Sequence, residues 1–186
     1  MYTKKLVGKK CFISPMCPQD AAIYTQWLND LEVTQNLVLS ASCVTEDDER
    51  NVIEEISKNH DYSIIDLESE KLIGSIGLDR FDSINNTAEL GIFIGDKNFW
   101  GKGYGTEAIC LILDFGFRRL NLHSVFLHVY SFNPRAVKCY QKAGFKMAGC
   151  LRQAVCRGGK YYDRYLMDIL ADEFYEQNPD FDRNKL

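Results

Sequence analysis

The stretch Phe99-Trp-Gly-Lys-Gly-Tyr-Gly-Thr-Glu-Ala108 decides how the rest of the chain is read. An apolar run at 88–94 precedes it and reads as a strand, and an apolar-rich segment at 109–117 follows it and reads as a helix. Three glycines at alternate positions, Gly101, Gly103 and Gly105, thus join a strand to the start of a helix. Lacking a Cβ, each lets the backbone curl tightly and lets a bulky ligand approach its N–H groups. The first turn of a helix carries unpaired N–H donors and the positive end of the dipole, which together suit a phosphate. The pattern predicts a pyrophosphate-binding turn, set against the plainer reading of a tight strand-to-helix connection. Two other phosphate motifs fit less well. No Gly-x-x-x-x-Gly-Lys-Ser/Thr run occurs, and the spacing is Gly-x-Gly-x-Gly past the midpoint of the chain, not the Gly-x-Gly-x-x-Gly of a first strand–helix unit.

Around that turn, 186 residues with 46% hydrophobic and 26% charged side chains match one globular domain with room for a core. The expected organisation is a single domain over 1–186, with its core at 8–170 and a polar tail at 171–186 that frays. A net charge of -4 supplies no basic field, so no direct nucleic-acid binding is expected. No apolar run approaches the roughly 20 residues that cross a bilayer, and Met1-Tyr-Thr-Lys-Lys lacks the hydrophobic segment of a signal peptide. Seven cysteines, at 11, 17, 43, 110, 139, 150 and 156, contain no Cys-x-x-Cys pair. They are expected to be reduced, mostly buried and cytoplasmic. They share no ligand spacing with His60, His123 or His128, so no metal site is expected.

Period and punctuation place the remaining elements. A first strand falls at 10–16. Pro18 opens a helix through Ile23, Tyr24, Trp27 and Leu28, and 31–42 holds a short helix and a loop. Thr45-Glu-Asp-Asp48 caps a helix through Val52, Ile53 and Ile56. Strands at 62–67, 71–80 and 87–95 form an antiparallel meander that feeds the glycine turn. In a strand at 122–130, Leu122, Val125, Leu127 and Val129 are apolar while Phe126, His128 and Tyr130 take the other face. Asn133-Pro134 begins a helix carrying Ala136, Val137 and Tyr140, and Ala143-Gly144 ends it. Strands at 147–155 and 161–170 close the fold around Arg157-Gly-Gly-Lys160. Acidic residues crowd Glu46-Asp-Asp-Glu49 and Glu54-Glu55, reading as the wet face of a helix or as an attractor for a polyamine or basic tail.

Three runs now converge: Glu89-Leu-Gly-Ile-Phe-Ile94, Trp100-Gly-Lys-Gly-Tyr-Gly-Thr-Glu-Ala108, and Asn133-Pro-Arg-Ala136 with Tyr140-Gln-Lys-Ala-Gly-Phe145. They closely resemble the GCN5-related N-acetyltransferases (GNAT), and within them the branch of ribosomal-protein alanine and spermidine N-acetyltransferases. The resemblance spans about 8–170 and is specific over 86–147. It implies an α+β (mixed α/β) fold, a strongly twisted mixed sheet of about seven strands whose central pair splays apart, flanked by helices. Acetyl-CoA would lie in the notch. By the same resemblance, main-chain N–H groups of Lys102, Gly103, Tyr104, Gly105 and Thr106 hold the pyrophosphate. The backbone of Ile92, Phe93 and Ile94 pairs with the pantetheine amides, Asn133 bonds the pantetheine arm, and the Tyr140 hydroxyl lies near the sulfur. The implied activity is acetyl transfer to a primary amine, a polyamine or a protein N-terminus of ribosomal type, by direct aminolysis. A catalytically silent acyl-CoA sensor is the alternative. Relatives commonly pair through sheet edges or terminal strands, which implies a possible homodimer.

Aminolysis asks for a proton acceptor and a proton donor. A phenol of ordinary pKa near 10 is protonated at neutral pH, so Tyr140 is the donor candidate; core packing beside Ala136 and Val137 is its other use. Glu89, at the start of its strand, and His128, which titrates in a useful range, are candidate bases. Solvation at a strand end and half-buried packing are their respective alternatives, and a water held by backbone carbonyls is a third candidate base. Cys139 is next to Tyr140 but on a different helix face, so no acyl-cysteine is expected.

Overall fold

A computed structural model describes residues 1–37 and 41–182. Part of the expected 31–42 loop, at 38–40, and the end of the expected tail, at 183–186, lie outside the described residues. Two short strands, β1 (Leu6–Val7) and β2 (Cys11–Pro15), lead through a 3-10 turn at Pro18–Asp20 into α1 (Ala21–Leu28) and α2 (Leu31–Thr34). Then come α3 (Glu46–Ile56), the meander β3 (His60–Asp66), β4 (Leu72–Asp82) and β5 (Thr87–Ile94), and the long helix α4 (Tyr104–Arg119). The chain closes with β6 (Ser124–Tyr130), α5 (Pro134–Ala143), β7 (Lys146–Arg157), β8 (Lys160–Leu170) and α6 (Ala171–Gln177). The caps explain the boundaries. Thr45 accepts from the Asp48 N–H at 3.2 Å to start α3, and Asn133 does the same for Ala136 at 3.1 Å to start α5. Gly144, at φ +105°, stops α5.

The strands form one sheet in the order β1-β2-β3-β4-β5-β6-β8-β7. The β5–β6 pair is parallel and the others are antiparallel. Alternation sorts side chains into two apolar layers. On one face Ala88, Leu90, Val125, Leu127 and Val129 pack with Ile109, Ile112 and Phe117 of α4. On the other, Phe12, Ile65 and Leu72 pack with Tyr24 of α1 and Ile53 of α3. β5 and β6 pair only over Thr87–Glu89 and Ser124–Phe126. β5 nevertheless runs on to Ile94 and β6 to Tyr130, so the central pair splays beyond Glu89.

Several expectations need correcting. The sheet, expected at about seven strands, has eight among the described residues; β1, which the sequence pattern did not mark, is two residues long and too short to show alternation. Within the expected tail, the stretch of described residues 171–182 packs on the core: it begins as α6, with Phe174 fully buried and its ring 5.6 Å from Phe117. The aromatic residues Phe174, Tyr175 and Phe181, set in a polar run, anchor it to the core. The cysteines are not mostly buried: Cys11 and Cys110 are, Cys17 and Cys139 are half-buried, and Cys43, Cys150 and Cys156 are exposed. Two of the exposed three lie on β7, which forms a sheet edge. All seven are free thiols. The acidic run of α3 is not wholly wet either. Glu49 is 7% exposed, and burial pushes its carboxyl from 4.5 up to about 7.

Candidate active site

A cavity of about 650 Å³ opens where β5 and β6 part. Its β5 wall presents main-chain groups selectively. The Gly95 N–H bonds back to Ile73 of β4, and a Cβ on Gly74 would collide with the Phe93 carbonyl oxygen. Phe93 therefore turns its backbone toward β4, and by alternation Ile92 and Ile94 turn theirs toward the gap. The indole Nε1 of Trp100 donates to the Ile94 carbonyl at 2.7 Å. That leaves the Ile94 N–H and both main-chain groups of Ile92 facing a strand-shaped ligand. The Arg135 guanidinium stacks 3.9 Å above the Trp100 ring, fixing both at the cavity wall.

The glycine turn supplies the next wall. Gly101 sits at φ +70° and Gly103 at φ +91°, and α4 starts immediately after, at Tyr104. The first main-chain bond of α4 runs from the Glu107 N–H to the Gly103 carbonyl, so the N–H groups of Tyr104, Gly105 and Thr106 lack intrahelical acceptors. Two side chains hold this end in place. Glu107 accepts the N–H groups of Lys9, Lys10 and Cys11 at 2.8, 2.8 and 2.9 Å, and the Tyr104 hydroxyl donates to Asp66 at 2.7 Å. The Asp66 carboxylate beside it pushes the Tyr104 phenol up to about 12. Gly103, Tyr104, Gly105 and Thr106 line the cavity, whereas Lys102 is exposed and does not, which leaves only its main chain for the role anticipated. Across from the turn, α5 presents Arg135, Lys138 and Lys142 to the same cavity. Sequence reasoning missed these cations, although their spacing of three and four residues places them on one helix face. Asn133 spends its Oδ1 on the cap of α5, leaving its amide NH2 for a ligand. Open N–H donors, three cations and an unpaired strand edge fit the diphosphate and amide-bearing arm of coenzyme A.

The catalytic candidates fall on opposite sides of the sheet. Val125, Leu127, Val129 and Tyr140 share the apolar layer that contains α4. By alternation Phe126, His128 and Tyr130 face the other way, as does Glu89, which pairs with Phe126. The two base candidates come together there: His128 Nδ1 and Glu89 Oε1 are hydrogen-bonded at 2.8 Å. An ionised carboxylate only accepts, so with Glu89 in that form the imidazole would donate from Nδ1 and turn Nε2 to the cavity. Arg80, which sequence reasoning did not single out, places Nε 3.2 Å from Glu89 Oε2. It sits at φ +49° where the β4–β5 register shifts between Asp79 and Asp82, a bulge that re-aims the side chain and leaves no trace in the sequence. Tyr140 lines the cavity at 8% exposure, its ring 6.0 Å from Phe145. Burial, with Cys139 beside it, pushes its phenol well above 10, so it holds its proton at neutral pH. Cys139 also lines the cavity; its Sγ lies 3.3 Å from Thr106 Oγ1, and burial raises its thiol.

A sheet parted at its parallel pair, an open helix start beside cations, and a buried phenol across from a His–Glu pair define a CoA-dependent acyltransferase. The family model described as Acetyltransferase (GNAT) domain matches residues 10–146. The chain belongs to this family and is an acetyl-CoA-dependent N-acetyltransferase. It is 30% identical over 179 residues to the uncharacterized N-acetyltransferase p20 of Bacillus licheniformis, covering 94% of this chain and 97% of that protein. It is 33% identical over 115 residues to spermidine N1-acetyltransferase of Vibrio cholerae, covering 62% and 66% respectively. The crystal structure of a Vibrio cholerae spermidine N-acetyltransferase in complex with CoA and spermine superposes with a TM-score of 0.79 at 25% identity, over 90% of this chain and 99% of that one. Among the described residues no helix is long and apolar enough to cross a membrane, and no three His, Cys, Asp or Glu side chains cluster as metal ligands.

Proposed function

We propose that this chain acetylates a primary amine entering on the Glu89–His128 face, with His128 as base, Glu89 as its orienting partner and Tyr140 as acid. The observation that carries this reading is the 2.8 Å His128–Glu89 bond at the fork where β5 and β6 separate. The N–H groups of residues 102–106 would hold the diphosphate, the main chain of Ile92 and Ile94 with the Asn133 amide would align the arm, and Arg135, Lys138 and Lys142 would neutralise phosphate charge. Bound acetyl-CoA supplies a thioester whose carbonyl accepts the amine. As the C–N bond forms and the C–S bond breaks, one proton of the ammonium passes through His128 to solvent. Tyr140 gives its phenolic proton to the departing sulfur, and the second proton released by the nitrogen restores the phenol. Holding both partners in line removes much of the entropic barrier.

Two acceptor classes are in view. The spermidine acetyltransferases among the relatives support a polyamine, and a protein N-terminus of ribosomal type is the other. A cytoplasmic place of action is supported by the seven unpaired thiols. The test is free-thiol release from acetyl-CoA with a panel of polyamines, N-terminal ribosomal peptides, aminoglycosides and amino sugars. In the same assay Tyr140→Phe should lower kcat by about 10²- to 10⁴-fold while CoA affinity is kept. Wild-type turnover in that variant would reduce Tyr140 to packing. CoA binding with no amine ever consumed would favour the silent-sensor alternative.

A further inference from the structure

Arg164 lies on β8 directly opposite Tyr130 of β6. Residues opposed in an antiparallel pair share a sheet face, so Arg164 stands on the face of Tyr130 and His128, and it lines the same cavity. Its Nε is buried without a hydrogen-bond partner, and among the described residues no ion pair engages its guanidinium. A buried guanidinium donor is costly to leave unmet, and its planar fork matches a carboxylate.

The charges lining the cavity point the same way. Glu89 is the one carboxylate among the residues described as lining the cavity, and Arg80 and His128 already share it. Arg135, Lys138 and Lys142 stand on α5, toward the phosphates. The remaining cation on the cavity wall is Arg164; Asp79, opposite Glu89, and Asp168, opposite Phe126, share the sheet face but do not line the cavity. At that wall a polyamine would meet a guanidinium and one carboxylate already paired. An acceptor with one ammonium and one carboxylate would satisfy both ends. Because His128 is opposite Leu166, Arg164 is its diagonal neighbour. The backbones that carry the two recognition groups are therefore about 7–8 Å apart, within the span of an amino acid or a short peptide.

We infer that the acceptor carries a carboxylate near its reacting amine and that Arg164 selects for it. The inference rests on the aminolysis reading above and narrows its substrate class. The carboxylate has two sources: the α-carboxylate of a free amino acid, or an acidic side chain next to a peptide N-terminus.

Steady-state kinetics with acetyl-CoA on isosteric pairs separates them, with rates corrected for each amine's neutral fraction. Alanine is compared with alaninamide, Ala-Glu-amide with Ala-Gln-amide, and spermidine serves as the polycation. Wild type should favour the carboxylate member of one pair by at least about tenfold in kcat/KM, mostly through KM; which pair responds identifies the source. Arg164→Gln should abolish that preference while the neutral member and CoA affinity stay unchanged, and Arg164→Lys should recover part of it. Equal use of both members, a preference for spermidine, or lost CoA affinity in Arg164→Gln would overturn the inference. If Arg164→Gln fails to fold, the wild-type pairs and Arg164→Lys still decide. Turnover without a carboxylate preference sinks this inference alone; turnover of no amine sinks the aminolysis reading with it.

Discussion

Gly103 holds φ +91° and ψ -2°, a left-handed conformation from which α4 starts. A Cβ built there meets nothing nearer than the end of the Lys10 side chain at 3.9 Å, so space is not what demands glycine. The backbone does. A β-branched residue held in that region costs about 1–3 kcal/mol, and the turn can relieve it only by rotating the N–H groups of Tyr104 and Gly105 off their shared direction. Gly103→Val should therefore remain folded, with Tm lowered by a few degrees, while CoA affinity measured by calorimetry falls at least about tenfold. The tenfold figure corresponds to about 1.4 kcal/mol of lost binding. An unchanged affinity would mean that the diphosphate is not gripped by this main chain. Lys102, by contrast, is exposed and does not line the cavity, so its side chain should be replaceable without the same loss.

The elements that were legible in the sequence are those whose signals are local. Thr45 three residues before Asp48, Asn133 before Pro134, and the alternation of Val125, Leu127 and Val129 each state their own structure. What stayed hidden depends on partners far along the chain. Glu89 and His128 are 39 residues apart and meet only through the register of a parallel pair; Arg80 reaches Glu89 only through a bulge. Helix α3 lies between these cases. Glu49 is four residues before Ile53 and shares its buried stripe, a position hidden inside a run of acids. The folded state holds this carboxyl at about 7 where the free group sits at 4.5. Between those values the folded chain keeps a proton that the unfolded chain gives up, so stability falls as pH rises from 4.5 through 7. Glu49→Gln, which stays neutral, should raise Tm at pH 8 more than at pH 5. Melting curves for the two proteins that shift in parallel across this range would mean that Glu49 is ionised in the folded chain.

Across the whole molecule, two apolar layers close on a sheet that is left parted at its centre. Beyond Glu89 the facing edges of β5 and β6 do not pair with each other, and the α4 start adds N–H groups without intrahelical acceptors. Such groups are served by water or by a ligand, and a ligand that serves all of them at once binds the folded chain alone. Folding and cofactor binding are then linked by mass action, with about 2.7 kcal/mol of added stability at a hundredfold excess over Kd. For a chain of this size each kcal/mol is worth roughly 2–4 °C, so saturating CoA should raise Tm by about 5–11 °C. ATP and NAD bring a polyphosphate or diphosphate to the α4 start but carry no amide-bearing arm for Ile92, Ile94 and Asn133. Their shifts in the same melting experiment should be small at equal concentration. A rise with NAD that matched the rise with CoA would show that the phosphate grip alone carries the stabilisation, and that the parted strands have no part in holding the ligand.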